Sequence, residues 1–81
     1  MKLNVKLFAQ ARDAVGENSV LLDVPDDARV ADLRESLGKT CPQIAPLIPN
    51  LLIAVDNEYA DDSLRINGEQ EFACFPPVSG G

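Results

Sequence analysis

Apolar and polar residues alternate along the first segment of the chain. Leu3, Val5 and Leu7 face one way and Asn4, Lys6 and Phe8 the other, which predicts a strand over residues 2–8 with one face buried. Residues 9–15 read as a short helical turn closed by Gly16, which takes the left-handed conformation without a β-carbon clash. A second alternation sets Val20, Leu22 and Val24 on one face. Pro25, Asp26 and Asp27 then break the strand and offer candidate helix caps. The short connection between the two runs predicts an antiparallel pair.

From Val30 the period lengthens: Val30, Leu33 and Leu37 share one face of a helix, and Asp32, Arg34, Glu35 and Lys39 lie off it. The helix is expected to end near Thr40, because Pro42 disfavours helical geometry at Cys41. Prolines among Ile44, Leu47 and Ile48 predict a turn or brief helix over 43–50, packed under the sheet. Leu51 to Val55 is uninterrupted apolar, the pattern of a central strand. Asp56 and Asn57 make a turn, Glu58 and Tyr59 a brief return strand, and Leu64 and Ile66 anchor a polar connection. Asn67-Gly68 is a turn signal, and Glu71 to Phe75 is the last strand. The element order predicts an α+β fold, a mixed sheet with one main helix packed across it.

With 81 residues the chain has room for one core, and with no Trp, one Tyr and three Phe that core must be largely aliphatic. Seven basic residues stand against 13 acidic ones. The net charge of −6 argues against nucleic acid and against an anionic membrane surface, and suits a basic partner protein. No apolar stretch approaches the roughly 20 residues that span a bilayer. The Met1-Lys2 opening lacks the long apolar run of a secretion signal, so a cytoplasmic location is expected. Cys41 and Cys74 lie far apart and there is no histidine, which leaves no zinc-ligand spacing, no Cys-x-x-Cys motif and no cysteine–histidine dyad. Both are read as ordinary packed or half-packed thiols.

The candidate chemistry lies at the end of the chain. Residues 1–75 are read as the domain, and residues 76–81, Pro76-Pro77-Val78-Ser79-Gly80-Gly81, as an extended tail. Two prolines favour an extended backbone and lack amide donors, so the tail should project from the sheet. Six residues reach at most roughly 20 Å, enough to enter a deep site on another protein. Without β-carbons, Gly80 and Gly81 can pass a narrow channel and leave the Gly81 carboxylate open. With a reference pKa of about 3.3–3.7 that carboxylate is ionised at neutral pH and a poor electrophile. Adenylation by ATP would convert it to a mixed anhydride, which a sulfur donor could turn into a thiocarboxylate. Gly16, Gly38 and Gly68 are isolated and form no phosphate-binding loop, so no bound cofactor is expected and ATP must be consumed by a partner. Phe8, Phe75 and Tyr59 are candidates for a docking patch beside the tail.

These features together resemble the small subunit of molybdopterin synthase, a sulfur carrier with the ubiquitin-like β-grasp fold. The resemblance spans essentially the whole chain. It rests on Leu7-Phe8-Ala9-Gln10-Ala11-Arg12 with Gly16, on Val30 and Leu33, on Ala54-Val55, and above all on Phe72-Ala73-Cys74-Phe75 with the tail that follows. It implies an E1-like enzyme that adenylates Gly81, a thiocarboxylate at that residue, and docking on a large synthase subunit in a heterotetramer. Sulfur would there pass to cyclic pyranopterin monophosphate. The chain departs from the family pattern at Asn67-Gly68-Glu69, where an Asp-Gly-Asp type of turn is common, and at Cys74, where an apolar or aromatic residue is expected.

Two further readings stay open on the residues alone. The same terminal chemistry would serve a carrier for thiamine synthesis or transfer RNA thiolation. A ubiquitin-like interaction module would use the sheet and perform no sulfur chemistry. A free-standing hydrolase lacks histidine and any paired catalytic motif.

Overall fold

A computed structural model describes residues 1–77. Strands β1 (Lys2–Leu7) and β2 (Ser19–Asp23) pair antiparallel from Lys2↔Asp23 to Lys6↔Ser19, joined through helix α1 (Ala9–Val15). Gly16 ends α1 at φ 84°, in the left-handed region, and donates its amide to the Arg12 carbonyl at 2.8 Å. Helix α2 (Val30–Thr40), a 3₁₀ helix (Pro42–Asn50), and strands β3 (Leu52–Val55), β4 (Glu58–Tyr59) and β5 (Phe72–Phe75) follow. The sheet order is β2-β1-β5-β3-β4. Only β1 and β5 run parallel; the other neighbouring pairs are antiparallel.

The alternation in β1 is reproduced position by position, with Leu3, Val5 and Leu7 buried and Lys2, Asn4 and Lys6 exposed. These side chains meet Val30, Leu33 and Leu37 of α2 with Leu22, Ile53, Phe72 and Cys74 in one hydrophobic cluster. Asp56 and Asn57 turn the chain from β3 to β4 at φ 50° and 71°, the left-handed conformations that a tight hairpin needs and that these residue types tolerate.

Two expectations are corrected. The cap of α2 is Arg29, not Asp26 or Asp27. Its backbone amide donates to the Asp32 carboxylate at 2.8 Å, while the next amides, of Val30 and Ala31, donate to the carbonyls of Leu64 and Asp62 at 3.0 Å. Loop carbonyls thus satisfy helix amides that a capping side chain would otherwise serve. Asp26 instead lies 3.2 Å from the amino group of Met1. Leu64 anchors through that carbonyl rather than through its side chain, which is 42% exposed; Ile66 is buried. The 3₁₀ helix seats on α2 and α1, and its Ile44 is buried in the core with the inward residues of the sheet, as expected. Pro46 and Pro49 deprive it of the amides an α-helical ladder requires. Arg34 ties the layer together, donating to the Ile48 carbonyl at 2.8 Å and pairing with Asp62 at 2.7 Å.

Candidate functional site

The site is built by the pairing of the first strand with the last. Register Val5↔Phe72, Lys6↔Ala73, Leu7↔Cys74 continues one step further, where the Phe8 amide donates to the Cys74 carbonyl at 3.2 Å. Phe8 therefore lands beside Phe75. Their rings stack with centroids 4.7 Å apart and planes 11° from parallel. From the other side, β3 pairs Leu52 with Phe75 and Ala54 with Tyr59, so that Tyr59 meets Phe75 edge-on at 6.3 Å. The three aromatic candidates form one cluster on the outer face of the sheet, with Tyr59 69% and Phe8 38% exposed. Exposed aromatic clusters of this kind suit a docking surface.

Two small residues give this face its shape. Ala54 and Ala73 oppose each other across β3 and β5 and, with Lys6, Phe8, Phe75, Asn57 and Glu71 around them, leave a hollow of about 130 Å³. Neither alanine is among the candidate site residues read from the sequence, because Ala54 sits in an uninterrupted apolar run and nothing local marks Ala73 as its partner. Nor is Ala9, which follows Phe8 at φ 50° and turns the chain out of β1 into α1. No glycine or asparagine signals a left-handed residue there.

Phe72 and Cys74 point inward from the same strand. Burial pushes the Cys74 thiol up to about 11, with the Arg34 charge opposing, and burial also raises Cys41. Both cysteines are buried and free, and a neutral enclosed thiol is a poor nucleophile. The unusual residue at position 74 therefore faces the core and lies on the opposite side of the sheet from the aromatic cluster. Beyond Phe75, Pro76 is half-buried and Pro77 exposed, both outside any strand. The candidate tail residues Val78, Ser79, Gly80 and Gly81 lie outside the described residues. No helix among the described residues is long and apolar enough to cross a membrane.

A five-stranded mixed sheet packed on one main helix, with the first and last strands parallel at its middle, is the ubiquitin-like β-grasp. The chain belongs to the ThiS family, whose model matches residues 5–81. It is 35% identical to a molybdopterin synthase sulfur carrier subunit of Dictyostelium discoideum, over 99% of this chain and 96% of that one. Small archaeal modifier protein 1 of Haloferax volcanii superposes with a TM-score of 0.84 at 26% identity, over 95% of this chain and 98% of that one. Subunit 1 of the molybdopterin-converting factor of Helicobacter pylori, solved in complex with subunit 2, shares the fold at a TM-score of 0.69 and 20% identity over the full length of both chains.

Proposed function

We propose that this chain is a sulfur carrier for molybdenum cofactor synthesis and that its working group is the carboxylate of Gly81. An E1-like partner binds ATP and adenylates Gly81; a sulfur donor displaces the adenylate and leaves a thiocarboxylate. The charged carrier docks on the large subunit of molybdopterin synthase through Phe8, Tyr59 and Phe75. Residues 76–81 then carry the sulfur into the partner's site for transfer to cyclic pyranopterin monophosphate. The domain of residues 1–75 acts as a grip and the tail as the reagent, within a cytoplasmic heterotetramer.

The observation that carries this reading is the stacked Phe8–Phe75 pair at the root of the Pro76-Pro77 segment, where a docked partner would meet the tail as it leaves the sheet. Intact mass after incubation with ATP, an E1-like enzyme and a sulfur donor tests it. The mass should rise by the difference between sulfur and oxygen, and fragmentation should place the change on Gly81. Sulfur found on Cys41 or Cys74, charging without a partner, or product formation by a chain lacking Gly81 would each refute it. The likeness to the archaeal modifier favours one second reading, attachment of Gly81 to lysines of other proteins. That reading requires isopeptide-linked species in the same incubation when target proteins are added.

A further inference from the structure

At the edge of the sheet farthest from β4 and Tyr59, β2 has one strand neighbour among the described residues, β1. The hydrogen bonds fix which of its main-chain groups are free. Met1 and Val24 exchange both bonds, at 2.7 and 3.0 Å, and the Leu7 amide donates to the Asn18 carbonyl at 2.8 Å. By the antiparallel alternation, Val20 and Leu22 also turn their main-chain groups toward β1, and Ser19, Leu21 and Asp23 turn theirs outward. Among the described residues one of these outward groups is occupied, the Asp23 carbonyl, which accepts from the Ser36 hydroxyl at 3.0 Å. Leu21, at the centre of the strand, is 64% exposed. Edge strands are commonly protected by charged residues, proline, a bulge or a covering helix; here the register is unbroken, and Asp23 and the Ser36 contact from α2 guard one end of the strand while Ser19 and Leu21 stay open.

We infer that β2 pairs antiparallel with β2 of a second copy of this chain, about a two-fold axis at Leu21. The strand is self-complementary in that register. Leu21 exchanges both main-chain bonds with its counterpart, and Ser19 exchanges them with Asp23 of the second copy, whose carbonyl accepts on its second lone pair while Ser36 holds the first. On the outer face the two exposed Leu21 side chains cover each other, while on the inner face Leu22 stays sealed in its own core and half-buried Val20 lies at the seam. Charge complements this register. Lys6 lies beside Ser19, so Asp23 of the second copy sits two strands away, about 10 Å, with only the small Ser19 side chain between them. Lys6 and Asp23 can meet across it, once on each side of the axis. Asp23 is already next to Lys2 at 3.3 Å, so the two Asp23 carboxylates enter the interface partly balanced. The joined sheet leaves the outer surface of β5, β3 and β4 open, and the inference does not depend on the proposed sulfur chemistry.

So short a pairing gives a weak dimer, below the area of standard stable interfaces. Sedimentation equilibrium up to roughly millimolar chain should therefore show reversible dimers, and amide exchange at Ser19, Leu21 and Asp23 should slow as concentration rises. L21K, a change at an exposed site that leaves the fold intact, should weaken association roughly tenfold or more. K6E should weaken it about three- to tenfold, and adding D23K to K6E should recover most of that loss. A chain monomeric throughout the range would overturn the inference. So would a dimer that L21K leaves unchanged, or one in which these amides gain no protection.

Discussion

The two faces of the sheet are made by the same strands, residue by alternate residue, yet they are built for different ends. Inward, Leu3, Val5, Leu7, Leu22, Ile53, Phe72 and Cys74 are all but sealed from solvent. Outward, Phe8, Phe75 and Tyr59 touch one another but remain accessible, over alanines too small to fill the space between them. Removing an inner side chain leaves a void; removing an outer one leaves water. Stability should therefore depend mainly on the first set and recognition on the second.

The most damaging change should be Phe72→Ala, which opens a cavity beneath β5 and should cost about 3–5 kcal/mol in urea denaturation. A loss below about 1 kcal/mol would mean that the inner face does not carry the fold. Phe75→Ala, three residues along the same strand and on the other side, should weaken calorimetrically measured binding to the large synthase subunit by about 2 kcal/mol or more while the protein stays folded. Unchanged affinity would remove Phe75 from the interface.

Alkaline titration separates the faces without a void. Below pH 9.0, the ordinary thiol value, Cys74 is protonated in both folded and unfolded chains and its contribution is fully present. Between 9.0 and about 11 the unfolded thiol ionises and the buried one does not, so stability should fall by something on the order of 2 kcal/mol across that window. Cys74→Ala should flatten the slope, and an identical slope in that variant would contradict the assignment. The smallest effect should be the stability coupling between Phe8 and Phe75, about 0.5–1.5 kcal/mol in a double-mutant cycle. A coupling as large as the Phe72 cavity cost would place the aromatic pair in the core.

What could be foreseen from the residues followed the range of the interaction. The alternation of β1, the Val30–Thr40 helix and the Asp56-Asn57 turn depend on near neighbours, and all three stand where the pattern puts them. Phe8 and Phe75 could each be singled out as half-exposed aromatics, but their stacking depends on a parallel register between strands far apart in the chain. The capping of α2 escaped the pattern for the same reason: the carbonyls of Asp62 and Leu64 reach its first amides from a distant loop. Pro42, Pro46 and Pro49 announced irregular structure, and only tertiary packing made it a nine-residue 3₁₀ helix. At the tail, glycines and prolines speak through chemistry, not periodicity; Gly81 is a candidate reagent on that chemistry and lies outside the described residues.

The parallel union of β1 and β5 has a consequence for synthesis on the ribosome. Strand β1 is made before β5 and, although it holds a central place in the sheet, lacks its β5 neighbour until Phe75 has been added. Such long-range closure is slow compared with forming a helix or a hairpin. A nascent fragment ending before β5 has Phe8 without Phe75, and so presents no finished aromatic cluster to a partner. The aromatic cluster and the β1–β5 pairing therefore form together, so a fragment that stops before β5 carries neither.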